Sequence, residues 1–90
     1  MTSTEILNAI ADKSGLDVET IKGRHRDNVR SQVRQLAVLL CHEKTRLTLT
    51  GLGRVFGRGH TTMLYSIKQG RELVASQEWA RDLYAAVKEM

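Results

Sequence analysis

The sequence predicts an all-α fold, a small single-domain bundle of about six helices. The 90 residues include no proline and many Leu, Ala, Arg, Lys and Glu residues, which favour helices. Apolar residues also recur at intervals of three and four along most of the chain. A length of 90 residues with a hydrophobic fraction of 41% suffices for one modest core. We therefore expect residues 1–90 to form one unit without a linker or an internal repeat.

The first two helices are delimited by capping residues and glycines. Ser3 and Thr4 are candidates to cap the first helix, and Gly15 supplies a stop signal. Asp17 can cap a short second helix, which Gly23 then ends. The apolar positions of the first helix have helical spacing and are Ile6, Leu7, Ile10 and Ala11.

An arginine-rich segment separates these two helices from the predicted centre of the bundle. Residues 24–30, RHRDNVR, follow a glycine and are expected to form a loop. From about Val29 to Lys44, an apolar stripe indicates a core helix against which the other helices pack. The members of that stripe are Val33, Leu36, Ala37, Leu40 and Cys41.

Two further helices are predicted around a glycine-rich turn. Thr48 precedes a short fourth helix, and Gly57 can adopt the left-handed conformation that ends it. After Arg58 and Gly59, His60 opens a fifth helix, and two helices joined by such a turn form a helix-turn-helix. The fourth helix directs Leu49, Leu52, Val55 and Phe56 inward, and the fifth directs Met63, Leu64 and Ile67 inward and Thr61, Thr62, Tyr65 and Lys68 outward.

A last amphipathic helix is predicted close to the C-terminus. Ser76 is a candidate to cap its first turn, because serine side chains accept hydrogen bonds from the first free backbone N–H groups. We expect the apolar face of this helix to pack on the core. Its apolar residues are Trp79, Leu83, Ala86 and Val87.

Positive charge is concentrated in the middle of the chain. From Lys22 to Arg71 there are eleven Lys or Arg residues and two acids, Asp27 and Glu43, a balance of +9. The whole chain carries +4, so the two ends together carry −5, and no acid lies between Glu43 and Glu72. Such a basic segment is typical of nucleic-acid surfaces. A solvated basic face with no ligand is the alternative.

The segment GRGHTT, residues 57–62, has the composition of an exposed helix start rich in hydrogen-bonding groups. His60 can donate to a phosphate or a base, and Thr61 and Thr62 offer hydroxyls for hydrogen bonds and methyls for contact with thymine. The free backbone N–H groups of a helix start favour phosphate oxygens. Alternatively, one of the two threonines caps the helix and His60 is an ordinary surface residue.

Two other polar segments suit the same ligand. Arg24, Arg26 and Arg30 lie in or beside a glycine-led loop, which could place guanidinium groups in a minor groove or on phosphates. A solvated loop is the alternative for each of them. Arg34 and Gln35 are expected near the exposed N-terminal end of the core helix, where they can clamp a backbone phosphate.

The segments VRQLAVLL (33–40) and LTLTGLGRVFGRGHTTMLYSI (47–67) resemble the C-terminal DNA-binding domain of the bacterial replication initiator DnaA. The resemblance covers roughly residues 4–73, and its most specific piece is Phe56-Gly57-Arg58 followed by His-Thr-Thr at 60–62. It implies a Trp-repressor-like helical bundle that binds double-stranded DNA at the DnaA box. It also implies a role in replication initiation or in its regulation, with other replication proteins as possible partners.

The resemblance also implies roles for individual residues. In that family the basic loop enters the minor groove, the His-Thr-Thr segment reads the major groove, and an arginine-glutamine pair touches the DNA backbone. The DNA-binding residues predicted on this basis are Arg24, Arg26, Arg30, Arg34, Gln35, Thr48, Thr50, Arg58, His60, Thr61, Thr62 and Lys68.

This chain departs from the family pattern around the same segment. The family's aspartate before His-Thr-Thr is Gly59 here, its glycine pair is the single Gly57, and a proline near the start of the fourth helix is Thr50. Because aspartate accepts a hydrogen bond from cytosine N4 and glycine cannot, we expect an altered preference at one base pair. The family's ATPase domain has no counterpart in these residues, so a complete protein of this length would bind DNA without ATP-driven assembly.

A second hypothesis is an interaction module that kept this fold and binds an acidic protein partner, such as a replication factor. The charge distribution alone is compatible with both hypotheses. Binding that differs between specific and scrambled duplexes would separate a groove reader from such a module.

An enzyme is not expected from these residues. His25, His42, His60 and Cys41 lack metal-ligand spacing, and Cys41 lies on the apolar stripe as a small hydrophobic residue. No paired carboxylates or phosphate-cradling loop occur, so we expect no cofactor, metal or small-molecule substrate. The single cysteine, and the lack of a targeting signal or membrane-length apolar stretch, predict a soluble cytoplasmic protein.

Overall fold

The computed structural model describes residues 1–24 and 27–90, and six helices make up the architecture of these two ranges. They are α1 (Ser3–Ser14), α2 (Val18–Lys22), α3 (Asn28–Lys44), α4 (Leu49–Phe56), α5 (His60–Ser76) and α6 (Glu78–Lys88). The described residues contain no strand, which confirms the all-α prediction. Among these helices, none is both long enough and apolar enough to cross a membrane.

Helix α3 is the centre of the bundle, as predicted, because each of the other five described helices packs against it. Its residues 36–41 form six consecutive positions that are at most 1% exposed, so neighbours surround this part of the helix. Cys41 belongs to this run, and burial raises the pKa of its thiol to about 12. The thiol therefore stays protonated near neutral pH and packs as a small apolar side chain.

A glycine lets α5 cross α3 at close range. A Cβ atom on Gly70 would lie 2.7 Å from the carbonyl oxygen of Gln35 and 3.0 Å from the Cβ of Leu39. Contacts this short do not occur between real Cβ atoms and backbone oxygens, so Gly70 sets the separation of the two helices. The position of α5 relative to the core follows from this crossing, and α5 and α3 share the most extensive contact in the bundle.

The N-terminus of α1 is one residue earlier than the predicted caps. Thr2 caps the helix, because its hydroxyl accepts from the Glu5 N–H at 3.2 Å and its own N–H donates to the Glu5 carboxylate at 3.0 Å. This reciprocal pair is a capping box, and it leaves Ser3 and Thr4 inside the helix. The predicted end of α1 is confirmed, since Gly15 has a left-handed φ of 79°.

The predicted ends of α2 and α4 are also confirmed. The Asp17 carboxylate accepts from the N–H of the third helical residue of α2 at 2.7 Å, and Gly23 ends this helix. The Thr48 hydroxyl caps α4, and Gly57 ends α4 with a left-handed φ of 65°. These caps satisfy backbone groups that have no partner inside a helix, so the sequence signals mark the ends correctly.

The prediction for the C-terminal helix is wrong in two respects. Ser76 is the last residue of α5, where its hydroxyl donates to the Glu72 carbonyl at 2.8 Å, and Gln77 separates α5 from α6. Two of the four predicted inward residues of α6 are also misplaced, because Trp79 is 41% exposed and Ala86 is exposed, whereas Leu83 and Val87 face the core as predicted. The inward-facing residues of α6 are Ala80, Leu83, Tyr84 and Val87.

Candidate nucleic-acid interface

Helices α4 and α5 form the predicted helix-turn-helix, and the turn between them lies directly on α4. The N–H of Arg58 donates to the carbonyl of Gly53 at 2.9 Å. A Cβ atom on Gly53 would lie only 2.4 Å from the carbonyl oxygen of Arg58. The glycine in the middle of α4 is therefore what allows the turn to pack against this helix and to place the start of α5.

The start of α5 has no side-chain cap. Gly59 is the N-cap residue, with an extended backbone (φ −78°, ψ 167°), and no side chain accepts a hydrogen bond from the first turn. His60, Thr61 and Thr62 are the first three helical residues, and all three are exposed. The alternative in which a threonine caps this helix is therefore wrong. Their backbone N–H groups precede the first helical hydrogen bond, which Met63 donates to the Gly59 carbonyl.

An open groove lies between α4 and the first turn of α5. Thr50 of α4 and His60 of α5 both line it, and Arg54 also contributes to its wall. Arg54 was not among the predicted DNA-binding residues, although it lies four residues after Thr50 and therefore on the same face of α4. The groove is lined by Thr50, Gly53, Arg54, Gly57, Arg58, Gly59 and His60.

The outward face of α5 is wider than predicted, because Leu64 lies on it. Leu64 is 49% exposed, so its predicted inward orientation is wrong, whereas Tyr65 is 58% exposed and Ile67 is buried, as predicted. The centre of the buried face of α5 differs from the predicted one because this face includes a serine and a glycine. A hydrophobicity pattern does not identify either residue as a core position. The buried residues of α5 are Met63, Ser66, Ile67, Gly70 and Leu73.

The arginine-rich segment is shorter than the predicted loop. Asp27 caps α3 by accepting from the Arg30 N–H at 3.2 Å, so Arg30 lies in the first turn of α3 and not in a loop. Its guanidinium also pairs with the Asp27 carboxylate at 3.6 Å. Arg24 is exposed immediately after Gly23, whereas Arg26 lies outside the described residues.

Arg34 and Gln35 lie in the second turn of α3 and not at its start, because α3 begins at Asn28. Both are half-buried. The Arg34 guanidinium donates to the carbonyl of Gly23 at 2.9 Å, which joins α3 to the end of α2. Burial lowers the pKa of Arg34, and the nearby Asp27 carboxylate raises it in part.

Arg58 is also half-buried, and its guanidinium is engaged within the protein. It donates to the carbonyl of Lys22 at 2.9 Å and to that of Gly23 at 2.7 Å. It also donates to the carbonyl of Phe56 at 2.6 Å, two residues earlier in the chain. Burial lowers the pKa of Arg58, and the positive charges of Arg34 and Arg24 lower it further. Three guanidinium groups therefore lie close together at the end of α2.

The remaining predicted residues fall into two groups. The Thr48 hydroxyl accepts from the Gly51 N–H at 3.1 Å, which gives this side chain a capping role in addition to any contact with a ligand. Thr50 and Lys68 are exposed on α4 and α5.

The charge of the helix-turn-helix is positive or neutral along most of its length. No acid occurs between Glu43 and Glu72, so α4 and the first three turns of α5 carry only basic and neutral side chains. In the part of the chain that the structure describes, no His, Cys, Asp and Glu residues cluster as a metal site.

Comparison with known proteins agrees with this geometry. Residues 3–69 match the family model described as the bacterial dnaA protein helix-turn-helix. The whole chain is 33% identical over 90 residues to the chromosomal replication initiator protein DnaA of Mycobacteroides abscessus, of which it spans 18%. The chain thus corresponds to about a fifth of the length of that relative. Because the family model covers most of the chain and includes α4 and the exposed start of α5, this chain belongs to the bacterial DnaA helix-turn-helix family.

Proposed function

We propose that residues 1–90 form a single DNA-binding domain that recognises DnaA-box-like sites in double-stranded DNA. In this proposal the first turn of α5 enters the major groove and the segment around Arg24 and Arg26 enters the minor groove. The relative from Mycobacteroides abscessus is named a chromosomal replication initiator, which supports a role in replication initiation or its regulation. Such a role would place the protein in the cytoplasm with the bacterial chromosome.

The observation that carries the proposal is the uncapped, exposed start of α5. Three polar side chains, His60, Thr61 and Thr62, stand beside free backbone N–H groups, and they lie in the acid-free stretch between Glu43 and Glu72. A helix N-terminus carries partial positive charge and unsatisfied donors, both of which favour phosphate oxygens. A start of this kind at the second helix of a helix-turn-helix is also where bases are contacted in the major groove.

The side chains on this surface divide into groups that read bases and groups that hold phosphates. Thr61 can donate or accept through its hydroxyl and can contact a thymine methyl, so it carries information about base identity. Arg54 and Lys68 are assigned to phosphates on the two sides of the major groove, and a phosphate contact carries no information about base identity. The proposal therefore predicts different effects for substitutions in the two groups.

Replacing Thr61 with alanine tests the base-reading role. We expect Thr61→Ala to weaken binding to the preferred duplex by about 1–3 kcal/mol and to change binding to random duplex much less. The reason is that a base contact contributes only at the preferred sequence, whereas a phosphate contact contributes at every sequence. Fluorescence anisotropy with labelled duplexes of both kinds measures the difference.

Ser76→Ala is the matched control, because it removes a hydroxyl from the other end of the same helix. Ser76 lies fifteen residues beyond Thr61, or roughly 22 Å along α5. We expect this control to bind both duplexes as the unsubstituted protein does. Equal losses on preferred and random duplex in Thr61→Ala would show that the residue only holds the backbone.

Gly59 offers a second test, because the family's aspartate is missing at this position. Its extended backbone is the conformation of an N-cap residue, so Gly59→Asp should cap α5 and stabilise the fold by about 0.5–1 kcal/mol. The new carboxylate should also repel phosphates, so affinity for random duplex should fall. If it reaches a cytosine N4, discrimination at one base pair should rise. Thermal unfolding and anisotropy measure these effects.

Gly59→Asn separates the cap from the charge. Asparagine caps a helix about as well as aspartate but carries no charge. We expect both variants to raise the unfolding temperature and only the aspartate to lower affinity for random duplex. Equal DNA affinities for the two variants would mean that residue 59 does not face the phosphates of bound DNA.

A further inference from the structure

Two arginines from different parts of the chain bind the same backbone carbonyl. Arg34 of α3 reaches the Gly23 oxygen at 2.9 Å, and Arg58 of the turn before α5 reaches it at 2.7 Å. Arg58 also reaches the preceding carbonyl, that of Lys22, at 2.9 Å. We call this arrangement, made by Arg34 and Arg58 on the carbonyls of Lys22 and Gly23, the carbonyl clamp.

The clamp has a clear electrostatic basis. Lys22 is the last residue of α2 and Gly23 is its C-cap, so both carbonyls belong to the end of the helix that carries partial negative charge. A guanidinium presents several donors in a planar fork, which lets Arg58 bind two successive carbonyls at once. A lysine at the same place would keep the charge but lose this paired geometry.

The clamp connects the two elements that the proposed function places on DNA. Arg24 directly follows the clamped Gly23, and only three residues separate Gly23 from Asp27, the N-cap of α3. On the other side, Arg58 directly precedes Gly59, the N-cap of α5. The clamp therefore joins the beginning of the arginine-rich segment to the beginning of α5 through side-chain hydrogen bonds.

We propose that Arg34 and Arg58 are positioning residues that hold the Gly23–Arg24 backbone in register with the first turn of α5, so that the minor-groove and major-groove contacts strengthen each other. This inference rests on the proposed function. The physical effect is preorganisation of the DNA-binding segment, because a segment that is already held in place loses less conformational freedom when it binds. Burial, and then the positive charges of Arg34 and Arg24, lower the pKa of Arg58, and a DNA phosphate beside this cluster would offset the repulsion among the three guanidinium groups.

The first test uses the protein without DNA. NMR relaxation should show that Arg58→Lys lowers the order parameter of the Gly23 amide from the roughly 0.85 of rigid backbone toward roughly 0.6. Arg54→Lys is the matched control, since Arg54 is exposed on neighbouring α4 and should leave Gly23 unchanged. An unchanged order parameter at Gly23 in Arg58→Lys would overturn the clamp. If Arg58→Lys does not fold, Arg34→Lys is used in its place.

The second test is a double-mutant cycle on DNA with Arg24→Ala. We expect Arg58→Lys to weaken binding to the preferred duplex about tenfold in the unsubstituted background and less than about twofold in the Arg24→Ala background. Equal losses in the two backgrounds would overturn the proposal, because Arg58 would then act independently of Arg24. Failure of the proposed function is a separate result, namely an unsubstituted protein that does not distinguish the preferred from a scrambled duplex.

Discussion

Gly53→Ala is expected to destabilise the protein by about 2–3 kcal/mol, although alanine is the better helix former. The new Cβ would lie 2.4 Å from the Arg58 carbonyl oxygen, which is a backbone atom that no side-chain rotation can move. The turn would have to leave α4, and the Arg58–Gly53 hydrogen bond would lengthen with it. For a chain of this size, thermal unfolding should shift down by roughly 10–20 °C.

Gly59→Ala is the matched control for this prediction. It makes the same chemical change six residues later, and its Cβ would have no atom within 4 Å. The effect of glycine on the unfolded chain is common to both substitutions, so their difference reports the contact in the folded state. If Gly53→Ala is as stable as Gly59→Ala, then α4 and the turn do not pack as described.

The second large effect is a steep salt dependence of DNA binding. If about five of the central cations lie on phosphates, the slope of log K against log salt should be roughly −4.5. A fourfold rise in salt, from 50 to 200 mM, would then lower the association constant about 500-fold. Anisotropy titrations on a random duplex at several salt concentrations measure the slope. A flat dependence would contradict a phosphate-binding surface.

Single substitutions should localise the charges that contribute to this slope. Arg54→Gln removes a cation from the wall of the groove and should make the slope less steep by about 0.9. Arg81→Gln is the control, because Arg81 donates to the carbonyls of Val74 and Ala75 at the far end of α5. We expect Arg81→Gln to leave the slope unchanged. The same slope in both variants would place the DNA elsewhere on the protein.

Most of the fold could be predicted from the sequence, because its signals are local. Asp17, Gly15 and Gly57 act within one turn of the helix ends that they mark, and the stripe of α3 is long enough to identify a core helix. The predictions failed where the signal depends on packing. Leu64 is exposed because Ser66 and Gly70 occupy the buried face of α5, and hydrophobicity does not identify such residues as core.

The site was predicted less completely for the same reason. The exposure of His60, Thr61 and Thr62 follows from a glycine turn and a helix start, which are readable from residue order. The carbonyl clamp joins residues 11 and 35 positions apart, and nothing in the local sequence indicates which arginines turn inward. Side-chain direction at Arg34 and Arg58 depends on the packing of α2 beside α3 and the turn, which only the three-dimensional structure supplies.

Selection of bound sequences from a random duplex pool tests the central claim most directly. The uncapped start of α5 in an acid-free segment of the chain predicts that one sequence motif is enriched, and that the enriched duplex binds at least about 1,000-fold more tightly than a scrambled one. The replacement of the family's aspartate by Gly59 predicts relaxed preference at one base pair within that motif. A pool that shows no enrichment, with equal binding of enriched and scrambled duplexes, would contradict the claim that this domain reads DNA sequence.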